Sequence, residues 1–214
     1  EVKKILKENG GIEKALLSLS ECDDPQAQFL WSVYRDVFHY ACYQLEHLAE
    51  TVRCVDLALK SGFGWQKGIF EQAQLTGWSA MRDNLIADIN SGKVLLEEQL
   101  PSWVSDRSFV YSDEGAFDPK KDQYIPRSTH PVYKRQLFKP LLHGEKQHQQ
   151  EVLLESDTTK LIDIGDGVAS ISFKTKMNVL SSGVLIDIPN CLDFLEDNGF
   201  HALIFRQEKE HFCA

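Results

Sequence analysis

Apolar residues recur at helical spacing through the first half of the chain, and glycine or proline punctuates each run. Residues 1–20, EVKKILKENGGIEKALLSLS, read as a short amphipathic helix interrupted at Gly10-Gly11. Asp23, Asp24 and Pro25 then form a helix start signal, with acids and a proline in the first turn. From Gln28 to Glu50 the residues Leu30, Val33, Tyr34, Val37, Ala41, Leu45 and Leu48 share a stripe, which Phe29, Trp31, Phe38 and Tyr40 widen. A helix apolar around most of its circumference is expected to be buried on more than one side. The next helix spans Thr51 to Ser61, with Val52, Val55, Ala58 and Leu59 inward and Arg53, Asp56 and Lys60 outward. Gly62 follows at the position where a left-handed cap favours glycine. Shorter helices are expected at Gly68–Leu75, Trp78–Asn90 and around Pro101–Asp106, so residues 25–106 read as one compact all-helical unit.

After Arg107 the pattern changes. Aromatic residues flank Asp113-Glu114-Gly115, which reads as a small hairpin. Residues 128–156 hold Pro131, Pro140 and the polar run EKQHQQE, the character of a linker lying over a surface. From Thr159 the periodicity is that of strands. Leu161–Ile164 and Val168–Phe173 flank Gly165-Asp166-Gly167, and Ala169, Ile171 and Phe173 alternate with Ser170, Ser172 and Lys174. A helix from Ser181 to Glu196 and a strand from His201 to Arg206 complete a β-β-α-β order.

Composition narrows the classes of function. The chain has 214 residues, 43% of them hydrophobic and 26% charged, values ordinary for a globular protein with a real core. Its 32 acidic and 23 basic side chains give a net charge of −9, which argues against a nucleic-acid or anionic-membrane surface. A polyanionic ligand remains compatible, because a helix N-terminus can hold phosphate. Cys22, Cys42, Cys54, Cys191 and Cys213 are scattered, with no C-x-x-C pair, so neither a disulfide framework nor a zinc site is indicated. No apolar stretch approaches the length needed to span a bilayer, and no signal segment opens the chain. A reduced, cytoplasmic protein is the expectation. Both ends, Glu1 and Ala214, read as cut rather than natural.

Candidate chemistry is sparse. His39 and His47 lie on the long helix, and His143 and His148 in the linker have no carboxylate at ligand spacing; structural or solvated roles are expected. Cys42 and Cys54 read as helix-face residues, and the Phe29, Trp31, Phe38 and Tyr40 group as packing surface. The pairs Asp23-Asp24 and Glu97-Glu98 read as caps and solvated helix ends. No catalytic residue and no metal ligand is expected.

Two segments carry a family resemblance. Ser61-Gly62-Phe63-Gly64-Trp65-Gln66-Lys67-Gly68-Ile69-Phe70-Glu71 resembles the GFGW-x-x-G-P-F-E signature in the helical C-terminal domain of 3-hydroxyacyl-CoA dehydrogenases, with Ile69 in place of the usual proline. Gly62, Gly64 and Gly68 are its structural glycines, two for a sharp turn and one for close backbone approach. Residues 161–178, LIDIGDGVASISFKTKMN, together with the closing Glu210-His211-Phe212-Cys213-Ala214, look like the start of a crotonase (enoyl-CoA hydratase) domain.

The order of the two segments resembles a fused fatty-acid β-oxidation enzyme in which the hydratase follows the dehydrogenase and the helical domain is duplicated. The resemblance implies a mostly α fold in four parts: a linker helix (1–24), the second copy of the helical domain (25–106), a hairpin and linker (107–158), and a truncated crotonase β-β-α-β start (159–214). It implies that NAD binds in the parent polypeptide outside this chain, and that acyl-CoA is the parent's substrate. Lys176 and the backbone of Ala214 match positions near the CoA moiety. The nucleotide-binding unit with its His-Glu pair, and the hydratase acids, would lie outside the chain. Expected partners are the remaining domains of the parent, and a second copy through the uncovered sheet edges of the β-β-α-β unit. The alternative is a self-standing interaction or CoA-binding module derived from the same family.

Overall fold

The computed structural model describes residues 1–130, 142–145 and 151–207. The chain divides into two compact units, Glu1–Gln147 and His148–Ala214.

The first unit contains seven helices among its described residues: α1 (Val2–Asn9), α2 (Ile12–Ser20), α3 (Pro25–Leu48), α4 (Val52–Phe63), α5 (Ile69–Thr76), α6 (Trp78–Asn90) and the short α7 (Ser102–Ser105). Gly10 and Gly11, both at positive φ, separate α1 from α2. α3 starts where Asp24 Oδ1 accepts from the amides of Gln26 and Ala27, at 2.8 and 3.3 Å, with Pro25 filling the first turn. This cap satisfies amides that have no partner inside the helix.

The buried line of α3 differs from the expected stripe. It runs through Ala27, Trp31, Arg35, Phe38, His39, Cys42 and Leu45, whereas Phe29, Val33, Tyr40 and Leu48 are exposed. A helix so rich in apolar residues offers two adjacent stripes, and packing partners select one. Arg35 can enter the core because its charge is matched. Its Nε meets Asp36 at 2.9 Å, Nη1 meets Asp88 at 3.1 Å, and Nη2 donates to the Lys93 carbonyl at 2.6 Å. Burial opposes the guanidinium charge, but the Asp36 and Asp88 contacts outweigh it and hold its pKa above the ordinary value. His39 is also buried. Its Nε2 lies 2.8 Å from the Glu98 carbonyl, and burial pulls its pKa below the ordinary value despite that contact.

A three-stranded antiparallel sheet closes this unit, in the order β1 (Tyr111–Ser112), β2 (Gly115–Asp118), β3 (Gln123–Ile125). The hairpin at Asp113-Glu114-Gly115 thus has a third strand. Tyr111, Ala116 and Phe117 are buried in the helical core, so the sheet shares that core. Rings link the layers: Phe38 stands edge-on to Trp78 at 5.4 Å, Trp103 lies 6.1 Å from Trp78, and Phe117 lies 5.7 Å from Trp103. Ala15, Leu16 and Leu19 of α2 belong to the same cluster.

The second unit is a four-stranded sheet, β4 (Val152–Glu155), β5 (Thr159–Asp163), β6 (Val168–Phe173) and β7 (Ala202–Phe205), with helix α8 (Ser182–Asp197) between β6 and β7. β4, β5 and β6 pair antiparallel and β7 joins β6 in parallel, with Ala169 opposite Leu203. The residues expected as linker before Thr159 therefore contain a strand. Val152-Leu153-Leu154 is too short to show a period, and pairing with β5 supplies its hydrogen bonds. Leu161, Ala169 and Ile171 pack with Cys191 and Leu195 of α8. Ser181 caps α8 by accepting from Val184 N. Asp187, one turn into α8, accepts from the hydroxyls of Ser156 at 2.5 Å, Thr159 at 3.0 Å and Thr158, fastening the helix to the β4–β5 turn.

Candidate functional site

The resemblance motif occupies the junction of α4 and α5, and two buried carboxylates organise it. α5 begins after Gly68, which has no side chain with which to cap the helix. Asp56, in the second turn of α4, supplies the missing cap: Oδ1 accepts from Phe70 N at 2.9 Å and Oδ2 from Glu71 N at 2.7 Å. Tyr111 on β1 donates its hydroxyl to the same Oδ2 at 2.6 Å. One carboxylate thus joins two helices and a strand.

Glu71 completes the capping arrangement by accepting from Gly68 N at 3.3 Å. It also meets Lys60 Nζ at 3.3 Å and Lys67 Nζ at 3.2 Å, and accepts from His143 N at 3.0 Å. A third acid, Glu145, lies between Arg53 Nε at 2.6 Å and Arg127. Burial alone would raise its pKa, but the two arginines outweigh that and hold it below the ordinary range. Gln74 of α5 reads the backbone of β1, accepting from Val110 N and Tyr111 N at 2.8 and 2.9 Å and donating to Tyr111 O at 3.1 Å. Trp65 packs on Tyr34 of α3, with ring centres 6.1 Å apart.

The three motif glycines have different surroundings. Gly64, at φ 70°, is the left-handed cap of α4, so the cap stands two residues beyond the expected Gly62. Gly62 lies inside the helix, and a methyl group there would meet open space. Gly68 has an ordinary φ of −72°, but a Cβ on it would sit 2.2 Å from Asp56 Cγ. Its glycine is a matter of room for Asp56. Because Gly62 is exposed helix interior with no steric demand, Gly62→Ala is expected to stabilise the chain by about 0.5–1 kcal/mol, read as a higher thermal midpoint.

Asp56 and Ala58 correct the sequence reading of α4: the aspartate expected to face solvent is fully buried, and the alanine expected inward is exposed. The available signal for Asp56 was its position four residues after Val52, which places both on one face. Nothing local announced Tyr111, which lies 55 residues away. Lys176 is exposed in a 3₁₀ turn, Lys176–Asn178, of the second unit, and Ala214 lies outside the described residues. Among the described residues no cluster of histidine, cysteine and acidic side chains could hold a metal ion, and no helix is long and apolar enough to cross a membrane.

Every charged group at the α4–α5 junction named above is committed to an amide, a hydroxyl or an opposite charge. Such an arrangement holds backbone in place. It presents no pairing of base and nucleophile of the kind that proton transfer or acyl transfer requires.

No family model matches the chain, and no solved structure matches it. It is similar to a Bacillus subtilis (strain 168) protein named probable 3-hydroxyacyl-CoA dehydrogenase, with 24% identity over 97% of this chain and 25% of the relative. It is also similar to a Rickettsia felis protein named for the fatty acid oxidation complex trifunctional enzyme, with 20% identity over 86% of this chain and 22% of the relative. The chain therefore spans about a quarter of the length of these curated relatives. Both similarities are weak, and they support the dehydrogenase side of the resemblance.

Proposed function

We propose that this chain is a non-catalytic structural part of a fatty-acid β-oxidation enzyme, a 3-hydroxyacyl-CoA dehydrogenase fused to an enoyl-CoA hydratase. The observation that carries the reading is the α4–α5 junction, where Asp56 and Glu71 are both spent on capping and anchoring α5. The names of the two relatives support the dehydrogenase assignment of the parent. In this reading residues 25–106 are the second copy of the dehydrogenase's helical domain, and residues 159–214 open the crotonase fold. NAD and the acyl-CoA thioester bind in the parent, whose reacting groups belong to other parts of the polypeptide. Lys176 and Ala214 would line the approach of the CoA moiety once the rest of its pocket is present. The parent works in the cytoplasm, and the sheet edges of the second unit pair with a second copy or with neighbouring domains.

Titration calorimetry of the purified chain with acetyl-CoA and, separately, with NADH tests this division of labour. No saturable heat is expected with either ligand. Saturable binding of acetyl-CoA, lost in Lys176→Ala, would favour an autonomous CoA-binding module instead. Saturable binding of NADH would place the nucleotide site inside this chain and overturn the proposal.

A further inference from the structure

The three acids around the α4–α5 junction are not equivalent. Glu71 has Lys60 and Lys67, and Glu145 has Arg53 and Arg127. Asp118 of β2, on the strand that packs against α4, is paired with Lys121 at 3.2 Å. Asp56 is fully buried, and among the described residues no cation lies within ion-pair distance of it. Among the described residues it is met by two amides and the Tyr111 hydroxyl, with the Glu71 carboxylate nearby. The side chain of His143, whose amide reaches Glu71, is exposed. A desolvated carboxylate with a like charge beside it favours its neutral form.

We propose that Asp56 is a protonation latch: it holds a proton while β1 is seated on α4 and α5, and releasing that proton loosens the seat. The 2.6 Å contact between Oδ2 and the Tyr111 oxygen serves both states. Tyr111 donates to the carboxylate, whereas the neutral carboxyl donates to the phenol oxygen. Burial is the largest influence on Asp56 and pushes its pKa up to about 7. The Glu71 charge adds to the rise, and the hydrogen bonds from Tyr111, Phe70 and Glu71 hold it back. Burial likewise pushes the Tyr111 phenol well up, so that the tyrosine stays protonated throughout.

The sign of the effect follows from linkage. A carboxyl whose folded pKa exceeds its unfolded value binds its proton more tightly when folded. The resulting stabilisation is complete below the unfolded value and declines as pH rises through the folded value. With the folded pKa near 7, the contribution of Asp56 to the folding equilibrium constant falls about tenfold between pH 6 and pH 8. Burial pulls the His39 pKa below its ordinary value, and whatever it contributes is common to the wild type and Asp56→Asn.

Denaturant unfolding of the whole chain at pH 6 and pH 8 tests the latch. The wild type is expected to lose about tenfold in its folding constant relative to Asp56→Asn, whose amide cannot ionise. An equal pH response in the two proteins would overturn the proposal. Infrared spectra of the wild type give an independent reading should Asp56→Asn fold poorly. A protonated-carboxyl band present at pH 6, absent at pH 8 and shifted in Tyr111→Phe is expected. Absence of that band at pH 6 would sink the latch regardless of the variant.

Discussion

Replacing Gly68 with alanine is expected to destabilise the first unit by about 3 kcal/mol or more, at the upper end of the cost of overpacking a closed site. The backbone is not the reason, since φ at Gly68 is −72°. The added carbon would stand 2.2 Å from Asp56 Cγ, 2.3 Å from its Cβ and 2.4 Å from Oδ1. Asp56 cannot swing aside without releasing the amides of Phe70 and Glu71 and the hydroxyl of Tyr111. Either the helix junction opens or three buried hydrogen bonds are lost, and each unsatisfied buried group costs about 1–3 kcal/mol. The check is a urea titration monitored by circular dichroism, alongside Asp56→Gly and the double variant. Because both changes act at one contact, the double variant should be less destabilised than the sum of the singles. Additive losses would mean that Gly68 is constrained by something other than Asp56.

Trp78→Ala is the second large effect, about 3–5 kcal/mol for removing a fully packed tryptophan. Trp78 opens α6 and is 2% exposed. Its ring centre lies 5.4 Å from Phe38, 6.5 Å from Phe70 and 6.1 Å from Trp103, and its Nε1 donates to the Val104 carbonyl at 3.1 Å. The substitution therefore empties the middle of an aromatic cluster and removes the hydrogen bond by which this side chain ties α6 to α7. A domain of this size has a total stability of order 5–15 kcal/mol, so a large share is at risk. Trp78→Phe, which keeps an edge-on ring against Phe38 but loses the indole donor, should recover part of the loss. Equal midpoints for wild type and Trp78→Ala would contradict the packing described here.

How much of this was legible in the sequence depends on how local each determinant is. The start of α3 was readable because Asp24 and Pro25 act within one turn of the residues they cap. The β5–β6 hairpin was readable because its glycines and its alternation sit side by side. Arg35 was not, because its entry into the core depends on Asp88, 53 residues away, and on the Lys93 carbonyl. The inward line of α3 moved for the same reason: Trp31 shares Asp88, to which its Nε1 donates at 2.8 Å. Asp56 was read as a solvated charge because charged residues are rarely buried without partners, and its partners lie on α5 and β1. The strand at Val152–Glu155 exists through pairing with β5, which a four-residue run cannot declare. The motif glycines were found as a set, yet what separates Gly68 from Gly62 is one contact across the junction.

The proposed function rests on buried acids, Asp56 and Glu71, that hold structure at the α4–α5 junction. The most direct measurement is the rate of NADH formation from a 3-hydroxyacyl-CoA thioester and NAD, compared between this purified chain and a complete 3-hydroxyacyl-CoA dehydrogenase as the positive control. The control is expected to produce NADH at enzymatic rates and this chain to give only the background of the buffer. Turnover by the chain alone, abolished by substitution of one of its own residues, would contradict the account.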